Sequence, residues 1–311
     1  MMDLAVAQKE FDSLLDRVKP SEVAEFLDWI KESYVTQKDA QEGTAEADAA
    51  IRQIIQQLRL KLPLNAVVSS ERSTHPEYGV GSECDPNTTV HVDSFLYDDD
   101  ELDELVEEGR LSRHFCKAGV QPLTFVSHSL SVGQLKYIFT ALLPPEMLTG
   151  KKLLDVGSRL GAVLYAAFLY SPRLSSIAGV EMNAELASLQ TGLVDAFSMT
   201  SKVLVRAADV LEEAALVESA DVLVLNNVFQ FFLPPQQQEL CWRFLRQHCR
   251  TGTVLVTNPD LVTLTAHLVG LGFQVQDWAE KVPSETTAAK YCGTNQDLFE
   301  DCSSICLYQV K

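Results

Sequence analysis

The fold is decided by the stretch KKLLDVGSRLGAVLYAAFLYSPRLSSIAGVEMN, which runs from Lys151 to Asn183. Leu153 to Val156 is a short apolar run, typical of a parallel strand that is buried on both faces. A glycine turn follows. The alanine- and leucine-rich segment from Ala162 to Tyr170 predicts a helix, and Ser176 to Val180 predicts a second strand. Together they predict a right-handed βαβ unit of the mononucleotide-binding kind.

Acidic and glycine residues stand where these two strands end. Asp155 lies near the end of the first strand, Gly157 and Gly161 bracket the turn, and Glu181 stands at the tip of the second strand. Ligands of open α/β sheets bind beyond the carboxyl ends of the strands, and a helix amino terminus there suits a carboxylate or a phosphate. We therefore expect Glu181 to accept hydrogen bonds from ribose hydroxyls. The glycine spacing does not fit the G-x-G-x-x-G of nicotinamide-binding proteins.

At these residues the chain resembles the class I S-adenosylmethionine-dependent methyltransferases, whose first motif is usually written D-x-G-x-G-x-G. Asp155, Gly157 and Gly161 match the motif, and Arg159 replaces its middle glycine. The resemblance implies S-adenosyl-L-methionine as the cofactor. A structural alternative stays open, because any strand–turn–helix unit of a doubly wound fold contains similar glycines. The cofactor-binding residues that the resemblance implies are Asp155, Gly157, Ser158, Arg159, Gly161, Glu181 and Asp209.

Two of these residues have more than one interpretation. Asp209 follows the third predicted strand, where the superfamily places a carboxylate for the adenine amino group, but it could equally cap the next helix. Arginine suits carboxylate recognition, so we expect Arg159 to face the carboxylate of the cofactor. Alternatively, Arg159 blocks the site. The chain would then be a methyltransferase-fold protein without turnover that serves as an interaction module.

Helices and strands alternate after Glu181, which indicates a parallel sheet. The last two predicted strands are joined by a long connection without a clear helix, which suggests an antiparallel end of the seven-stranded methyltransferase kind. We therefore expect an α/β fold over residues 126–311, with a seven-stranded Rossmann-like sheet and helices on both faces. The predicted helices are 183–198, 211–218, 235–249 and 261–271, and the predicted strands are 202–207, 221–225, 253–257, 273–278 and 304–310.

The first 125 residues are expected to form two further segments. Residues 1–62 predict a helical appendage, with helices at 11–18, 21–34 and 45–62. Residues 63–125 are acidic and partly irregular, and between Glu83 and Glu108 there are eleven acidic residues and no basic one. We expect that run to be mobile or to act as a lid. A helix is predicted from Phe125 to Leu143, capped by Ser129 or Ser131, and His128 ahead of it is a lid candidate.

Several histidine and cysteine side chains in this part of the chain are possible zinc ligands. Their spacings match none of the familiar zinc patterns, so no metal site is predicted. The residues concerned are Cys84, His91, His114 and Cys116, with His128 a little further along.

A candidate acceptor site follows the fourth predicted strand, where Asn226 and Asn227 stand at the position that usually holds the methyl acceptor in this superfamily. An asparagine carbonyl can hold an amine proton and so direct the nitrogen lone pair, although such pairs are also common turn formers. The run Asn-Asn-x-Phe-x-Phe, with Phe229 and Phe231, is similar to that of disruptor-of-telomeric-silencing type histone lysine methyltransferases. This similarity favours a protein amine as acceptor, and a small molecule is the alternative. No general base is evident.

The composition limits which binding partners and which cellular location are expected. The 311 residues carry a formal net charge of −18, and 25 of the 43 acidic side chains lie in residues 1–133. No basic cluster occurs, so no nucleic-acid binding is expected, and a basic protein or peptide is the more natural partner. We expect no membrane span and no secretory signal. Seven cysteines without paired spacing fit a reducing compartment, so a cytoplasmic or nuclear location is expected.

Overall fold

The computed structural model describes residues 4–30, 37–71, 89–111, 114–116, 120–122, 124–126 and 129–311. The chain divides into two compact units, Met1–Ala49 and Ala50–Lys311. Helices α1 (Leu4–Leu15) and α2 (Val23–Ile30) belong to the first unit, and α3 (Gln37–Lys61) spans the division. The second half of α3 buries an apolar stripe at helical spacing, as its sequence predicts. That stripe consists of Ile51, Ile54, Ile55 and Leu58.

Short elements precede the main sheet in the second unit. Strand β1 (Thr89–His91) pairs in parallel with β4 (Thr124–Val126), and β2 (His114–Cys116) pairs antiparallel with β3 (Val120–Pro122). Helix α4 (Asp99–Glu107) begins with a capping box between Asp98 and Glu101. The acidic run also contributes Phe95, Leu96 and Leu105 to the buried core. Its predicted mobility stays a prediction.

A seven-stranded sheet organises the second unit. In the order in which they lie side by side, the strands are β10, β11, β9, β8, β5, β6 and β7. Strand β11 runs antiparallel to β9 and β10, and the neighbours from β9 to β7 are parallel. The predicted seven-stranded α/β sheet with an antiparallel end is therefore confirmed. The strands are β5 (Lys152–Val156), β6 (Ser176–Glu181), β7 (Val203–Ala207), β8 (Val222–Asn226), β9 (Val254–Asn258), β10 (Ala279–Val282) and β11 (Cys306–Val310).

The helices of this unit connect the strands. A 3₁₀ turn at Val210–Glu212 follows β7, and a π-helical turn at Ile138–Leu142 continues α5. Ser131 caps α5 in a capping box with Gln134, which confirms one of the two predicted caps. The helices are α5 (Val132–Tyr137), α6 (Pro145–Leu148), α7 (Ala162–Tyr170), α8 (Ala184–Ala196), α9 (Ala214–Ser219), α10 (Pro235–His248), α11 (Leu261–Thr265), α12 (Val275–Trp278), α13 (Glu285–Cys292) and α14 (Gln296–Ser303).

Three predicted elements were wrong. The helix expected from Phe125 begins only at Val132, because Thr124–Val126 pairs with β1 as a strand. The strand expected at 273–278 is mostly helix α12, because Val275 and Trp278 are spaced to be buried on one helical face. The connection from β10 to β11 holds α13 and α14, whose few buried side chains leave no apolar periodicity to read.

Close packing brings the turn after β5 onto β6. A Cβ atom on Gly179 would lie 2.7 Å from Leu164 Cδ1 and 2.9 Å from Ser158 Oγ. Only glycine leaves room for α7 and the turn to approach the strand this closely. The turn after β5 and helix α7 therefore lie directly against β6. None of the helices in the described ranges is both long and apolar enough to cross a bilayer.

Candidate functional site

The turn between β5 and α7 is tightly folded. Gly157, Arg159 and Gly161 all have left-handed backbones, with φ angles of 72°, 40° and 82°. The amide of Gly157 donates to the carbonyl of Val180 at 2.9 Å, and that of Gly161 to Ser158 at 2.6 Å. Left-handed geometry costs an arginine more than a glycine, so other contacts must hold Arg159 in place.

Gln190 on α8 supplies part of that support. It is fully buried, and its Oε1 accepts a hydrogen bond from Ser158 Oγ at 2.8 Å while its Nε2 donates to the Arg159 carbonyl at 2.7 Å. Ser158, predicted to bind the cofactor, thus uses its hydroxyl inside the protein. Sequence reasoning missed Gln190. Its position gives one indication of a role, because it is a polar residue at a position of the helix where buried, apolar residues are expected.

Glu181 ends β6 with a buried carboxylate that faces the turn. One oxygen accepts a hydrogen bond from the Arg159 amide at 2.8 Å, and the other accepts one from the Asn183 amide at 2.8 Å. Burial raises the pKa of Glu181, and these two amide donors oppose the shift. Each carboxylate oxygen keeps a second lone pair, so ribose hydroxyls could be accommodated beside the amides.

Asp155 lies deeper, and its residue is 3% exposed. Gly179 and Val224 stand opposite it on the neighbouring strands. Burial, reinforced by the nearby Glu181 carboxylate, holds the pKa of Asp155 well above its usual range. A carboxyl group that is buried beside a like charge is costly, and carboxyl groups with pKa values perturbed in this way cluster at functional sites.

The side chain of Arg159 points to residues that precede the sheet. Its Nε is 2.9 Å from Glu71 Oε1, its Nη1 is 2.5 Å from Asp93 Oδ2, and its Nη2 is 2.8 Å from the Ala66 carbonyl. Burial alone would lower the pKa of Arg159, but Asp93 and Glu71 together raise it. A cofactor carboxylate would have to share this guanidinium with them, so the expected contact stays a prediction. Sequence reasoning missed both acidic partners.

The third strand end carries Asp209. Its Oδ1 accepts from the Leu211 amide at 3.0 Å, so it caps the 3₁₀ turn as one of its two interpretations predicts, yet the residue remains exposed. Met182 and Leu211, beside Glu181 and Asp209 in the chain, leave 63% and 36% of their surfaces exposed. Exposed apolar side chains flanking two acidic strand ends suit a planar, partly apolar group such as adenine.

Four carboxamides gather where β8 and β9 end. Asn258 Nδ2 donates to Asn226 Oδ1 at 3.0 Å, the Asn227 amide donates to the Asn258 carbonyl at 2.7 Å, and Gln230 Nε2 lies 3.2 Å from Asn227 Oδ1. Asn227 and Phe229 have left-handed φ angles of 47° and 74°. Such strain is typical of functional sites. Asn226 ends β8 and Asn227 follows it, and their role in holding a methyl acceptor stays a prediction. Gln230 and Asn258 are additions that only the fold reveals.

The loop after β9 is held in place by residues that do not belong to the group of four carboxamides. Asp260 Oδ2 accepts hydrogen bonds from Lys281 Nζ at 2.8 Å and from Tyr308 Oη at 2.9 Å. Although burial opposes the shift, these bonds lower the pKa of Asp260 to about 2. Residues of β10 and β11 therefore anchor the segment that presents Asn258.

The zinc candidates cannot be brought together from the described residues. Cys84 and His128, the lid candidate, lie outside the described residues, and the side chains of His91, His114 and Cys116 do as well. Elsewhere in the described ranges, no three His, Cys, Asp or Glu side chains are grouped as metal ligands.

Comparison with known proteins gives distant structural likenesses. No protein-family model matches the chain, and no curated protein matches it. A Salinibacter ruber RNA methyltransferase solved with S-adenosyl-L-homocysteine is 16% identical, with 56% of this chain and 89% of that chain covered and a TM-score of 0.35. A putative Escherichia coli methyltransferase is 11% identical, with 59% and 88% covered and a TM-score of 0.39. Mitomycin 7-O-methyltransferase is 14% identical, with 57% and 52% covered and a TM-score of 0.36.

These likenesses are too distant to say anything of chemistry, and the topology of the sheet describes the fold alone. The parallel strands β9, β8, β5, β6 and β7, extended by the antiparallel strand β11 and by β10, form the seven-stranded sheet with an antiparallel end that the resemblance implied. The chain has the Rossmann-like fold of the class I S-adenosylmethionine-dependent methyltransferases.

Proposed function

We propose that this protein binds S-adenosyl-L-methionine and transfers its methyl group to an amine. One observation carries the proposal. Asp155, Glu181 and Asp209 lie at or just beyond the carboxyl ends of three adjacent parallel strands, around a turn folded by glycines. This is the edge of an open α/β sheet at which ligands bind.

The residues present fit the cofactor. Glu181 would accept from the ribose hydroxyls, and the exposed carboxylate of Asp209 would accept from the adenine amino group between the apolar side chains of Met182 and Leu211. A Cβ on Gly157 would meet only Val228 Cγ2, at 3.5 Å, so the backbone there is approachable. When bound, the cofactor supplies an electrophilic methyl group, and the protein supplies orientation and electrostatics.

An amine acceptor is supported by the carboxamides at the ends of β8 and β9. Carboxamide oxygens accept amine protons, and an amine whose protons are held in this way presents its lone pair in a fixed direction. In the described part of the structure, the hydrogen bonds among these four residues join amide groups, and no ionised side chain takes part in them. A neutral amine, unlike a hydroxyl, needs no general base before it attacks, and a lysine side chain, whose ordinary pKa is about 10.4, would first release its ammonium proton to solvent. The acidic chain makes an amine on a basic protein the preferred acceptor.

Cofactor binding is tested by calorimetric titration with S-adenosyl-L-homocysteine. Asp209→Asn keeps the cap of the 3₁₀ turn, because asparagine caps as well as aspartate, but it can replace an acceptor with a donor opposite the adenine amino group. We expect this variant to bind about tenfold more weakly than the wild type. Asp195→Asn, an equal change at an exposed position of α8, should bind as the wild type does.

If millimolar S-adenosyl-L-homocysteine produced neither heat of binding nor a thermal shift, the proposal that the protein binds this cofactor would be contradicted. The interaction-module alternative would then gain support if a basic partner still bound to Asp155→Ala and Glu181→Ala variants. Equal affinity in Asp209→Asn and Asp195→Asn would instead show that the adenine is held elsewhere.

The acceptor assignment has its own test. Asn227→Gly removes the carboxamide while tolerating the left-handed backbone, whose φ is 47°. With tritiated cofactor and a lysine-rich basic peptide, we expect at least about a hundredfold loss of methyl transfer with unchanged cofactor affinity. Gln247→Ala, which removes an exposed carboxamide of α10, is the control. Full transfer by Asn227→Gly would contradict the assignment, and transfer to a peptide with acetylated lysines would exclude the amine.

A further inference from the structure

A short segment between α3 and β1 lies against the turn after β5. We call this segment, residues 66–71, the strap. Its Glu71 carboxylate accepts hydrogen bonds from Arg159 Nε at 2.9 Å and from Arg159 Nη2 at 3.3 Å. Arg159 Nη2 also donates to the Ala66 carbonyl at 2.8 Å. Both ends of the strap are therefore held by the same guanidinium, which belongs to the candidate cofactor turn.

The strap is also bound to the segment that follows β6. Ser70 Oγ accepts a hydrogen bond from Asn183 Nδ2 at 3.1 Å and donates one to Glu185 Oε2 at 2.5 Å. Asn183 caps α8 and lies just beyond the end of β6. Strands β5 and β6 are neighbours in the sheet. The strap therefore crosses the carboxyl ends of two adjacent parallel strands, at the edge where ligands of open α/β sheets bind.

The position of the strap bears directly on Glu181, which is expected to accept from the ribose hydroxyls. The two residues whose amides bind the Glu181 carboxylate, Arg159 and Asn183, are the two whose side chains hold the strap. Their partners in the strap, Glu71 and Ser70, are adjacent in the chain. Glu181 is thus bracketed by the contacts of the strap and is only 7% exposed. A ligand that must reach this carboxylate needs the space that the strap takes.

We propose that the strap is an autoinhibitory segment that must leave the strand ends before the cofactor can bind. The inference rests on the proposed function and deepens it with a regulation of the same site. Release is feasible because Ser70 and Glu185 are exposed, so their hydrogen bonds can be exchanged for bonds to water. Ala66 has a left-handed backbone, with φ of 52°, and an open strap allows it to relax.

Arg159 has a part in both states. With the strap closed, Glu71 occupies its Nε and Nη2 groups, while Asp93 Oδ2 lies 2.5 Å from its Nη1. When the strap opens, Asp93 still neutralises the guanidinium, and the groups that Glu71 leaves can bind the carboxylate of the cofactor. The closed strap therefore competes with the ligand. The apparent affinity is the intrinsic affinity multiplied by the fraction of molecules whose strap is open.

The test compares the binding of S-adenosyl-L-homocysteine to the whole chain and to two strap variants, by calorimetry for affinity and by surface plasmon resonance for rates. Glu71→Gln removes the charge that pairs with Arg159, and we expect about tenfold tighter binding through faster association. Ser70→Ala changes no charge and should bind about threefold more tightly. Glu104→Gln, at an exposed position of α4, is the control and should match the wild type.

Equal or weaker binding by Glu71→Gln would overturn the inference, and weaker binding with faster dissociation would show that the strap closes over the bound ligand instead. Tighter binding by Glu71→Gln alone would also overturn it, because the guanidinium would then be freed without movement of the strap. If S-adenosyl-L-homocysteine bound neither the wild type nor the variants, the proposed function would fail, and the inference with it.

Hydrogen exchange of the wild type decides the question even if the variants fail to fold. In the closed strap, the amides of Ala66 and Glu71 each donate to a carbonyl three residues earlier, so release should break both bonds. With saturating S-adenosyl-L-homocysteine, we expect residues 66–71 to exchange faster while residues 181–183 become protected. Slower or unchanged exchange at 66–71 would contradict the inference and leave cofactor binding intact.

Discussion

Replacing Arg159 with alanine is expected to lower the free energy of unfolding by about 3–5 kcal/mol, the effect of breaking a buried ion pair from one side. Glu71 and Asp93 would lose the guanidinium that neutralises them, at side-chain exposures of 7% and 1%. The Ala66 carbonyl would lose its donor as well. Urea denaturation followed by circular dichroism measures the change.

Arg206→Ala is the control for that experiment, because it removes an equal charge from an ion pair on the surface. Arg206 pairs with Glu213 at 3.0 Å, but its side chain is 51% exposed. Solvent screening limits such a pair to less than about 1 kcal/mol. If the free energy of unfolding fell by a similar amount in the two variants, the ion pairs of Arg159 would be no more important than a surface pair. The segments that precede the sheet would then not depend on the Arg159 ion pairs.

Gly161→Ala is the second change with a large expected effect, a loss of about 2–4 kcal/mol in the free energy of unfolding. The backbone is left-handed at this position, with φ of 82°, and the new Cβ would lie 2.6 Å from Tyr165 Oη and 2.7 Å from Tyr165 Cζ. Tyr165 is fully buried and has little room to retreat. Binding of S-adenosyl-L-homocysteine should weaken as well, because the turn forms the site.

Two further variants separate strain from a general effect of alanine. Gly192→Ala, on α8, meets nothing within 4 Å and should raise stability by about 0.5–1 kcal/mol. Tyr165→Phe removes a buried hydroxyl without a partner in the described structure, so it should be neutral or stabilising, and it should recover part of the Gly161→Ala loss. A loss in Gly161→Ala that Tyr165→Phe leaves unchanged would show that the clash is not the cause.

Much of the fold could be predicted because several strands of the sheet are short apolar segments that are visible in the sequence. Strands β5, β6, β8 and β9 are mostly apolar runs, and each one ends in, or is directly followed by, a glycine, acidic or amide residue. Helices α12, α13 and α14 were misread, because they are short and bury few side chains. A helical turn with two apolar residues three positions apart is hard to distinguish from a strand.

The site was predictable only as far as its own local motif. Asp155, Gly157 and Gly161 indicate a ligand-binding turn in the sequence. The ion-pair partners of Arg159, in contrast, are Glu71 and Asp93, which lie far before it in the chain. Nothing in the spacing of those residues indicates the contact, which exists only once the sheet is folded. Gln190 and Asn258 are similar cases, since each supports a predicted residue through a hydrogen bond between separate elements.

Hydrogen exchange with and without saturating S-adenosyl-L-homocysteine tests the central claim most directly. If the cofactor binds where β5, β6 and β7 end, protection should increase at the turn 157–161, at 181–183 and at 209–211. Helices α13 and α14 should exchange at the same rate in both states. A ligand that binds without protecting these three segments, or that protects only the β10–β11 end of the sheet, would contradict the placement of the site. The absence of any change at millimolar ligand would contradict cofactor binding itself.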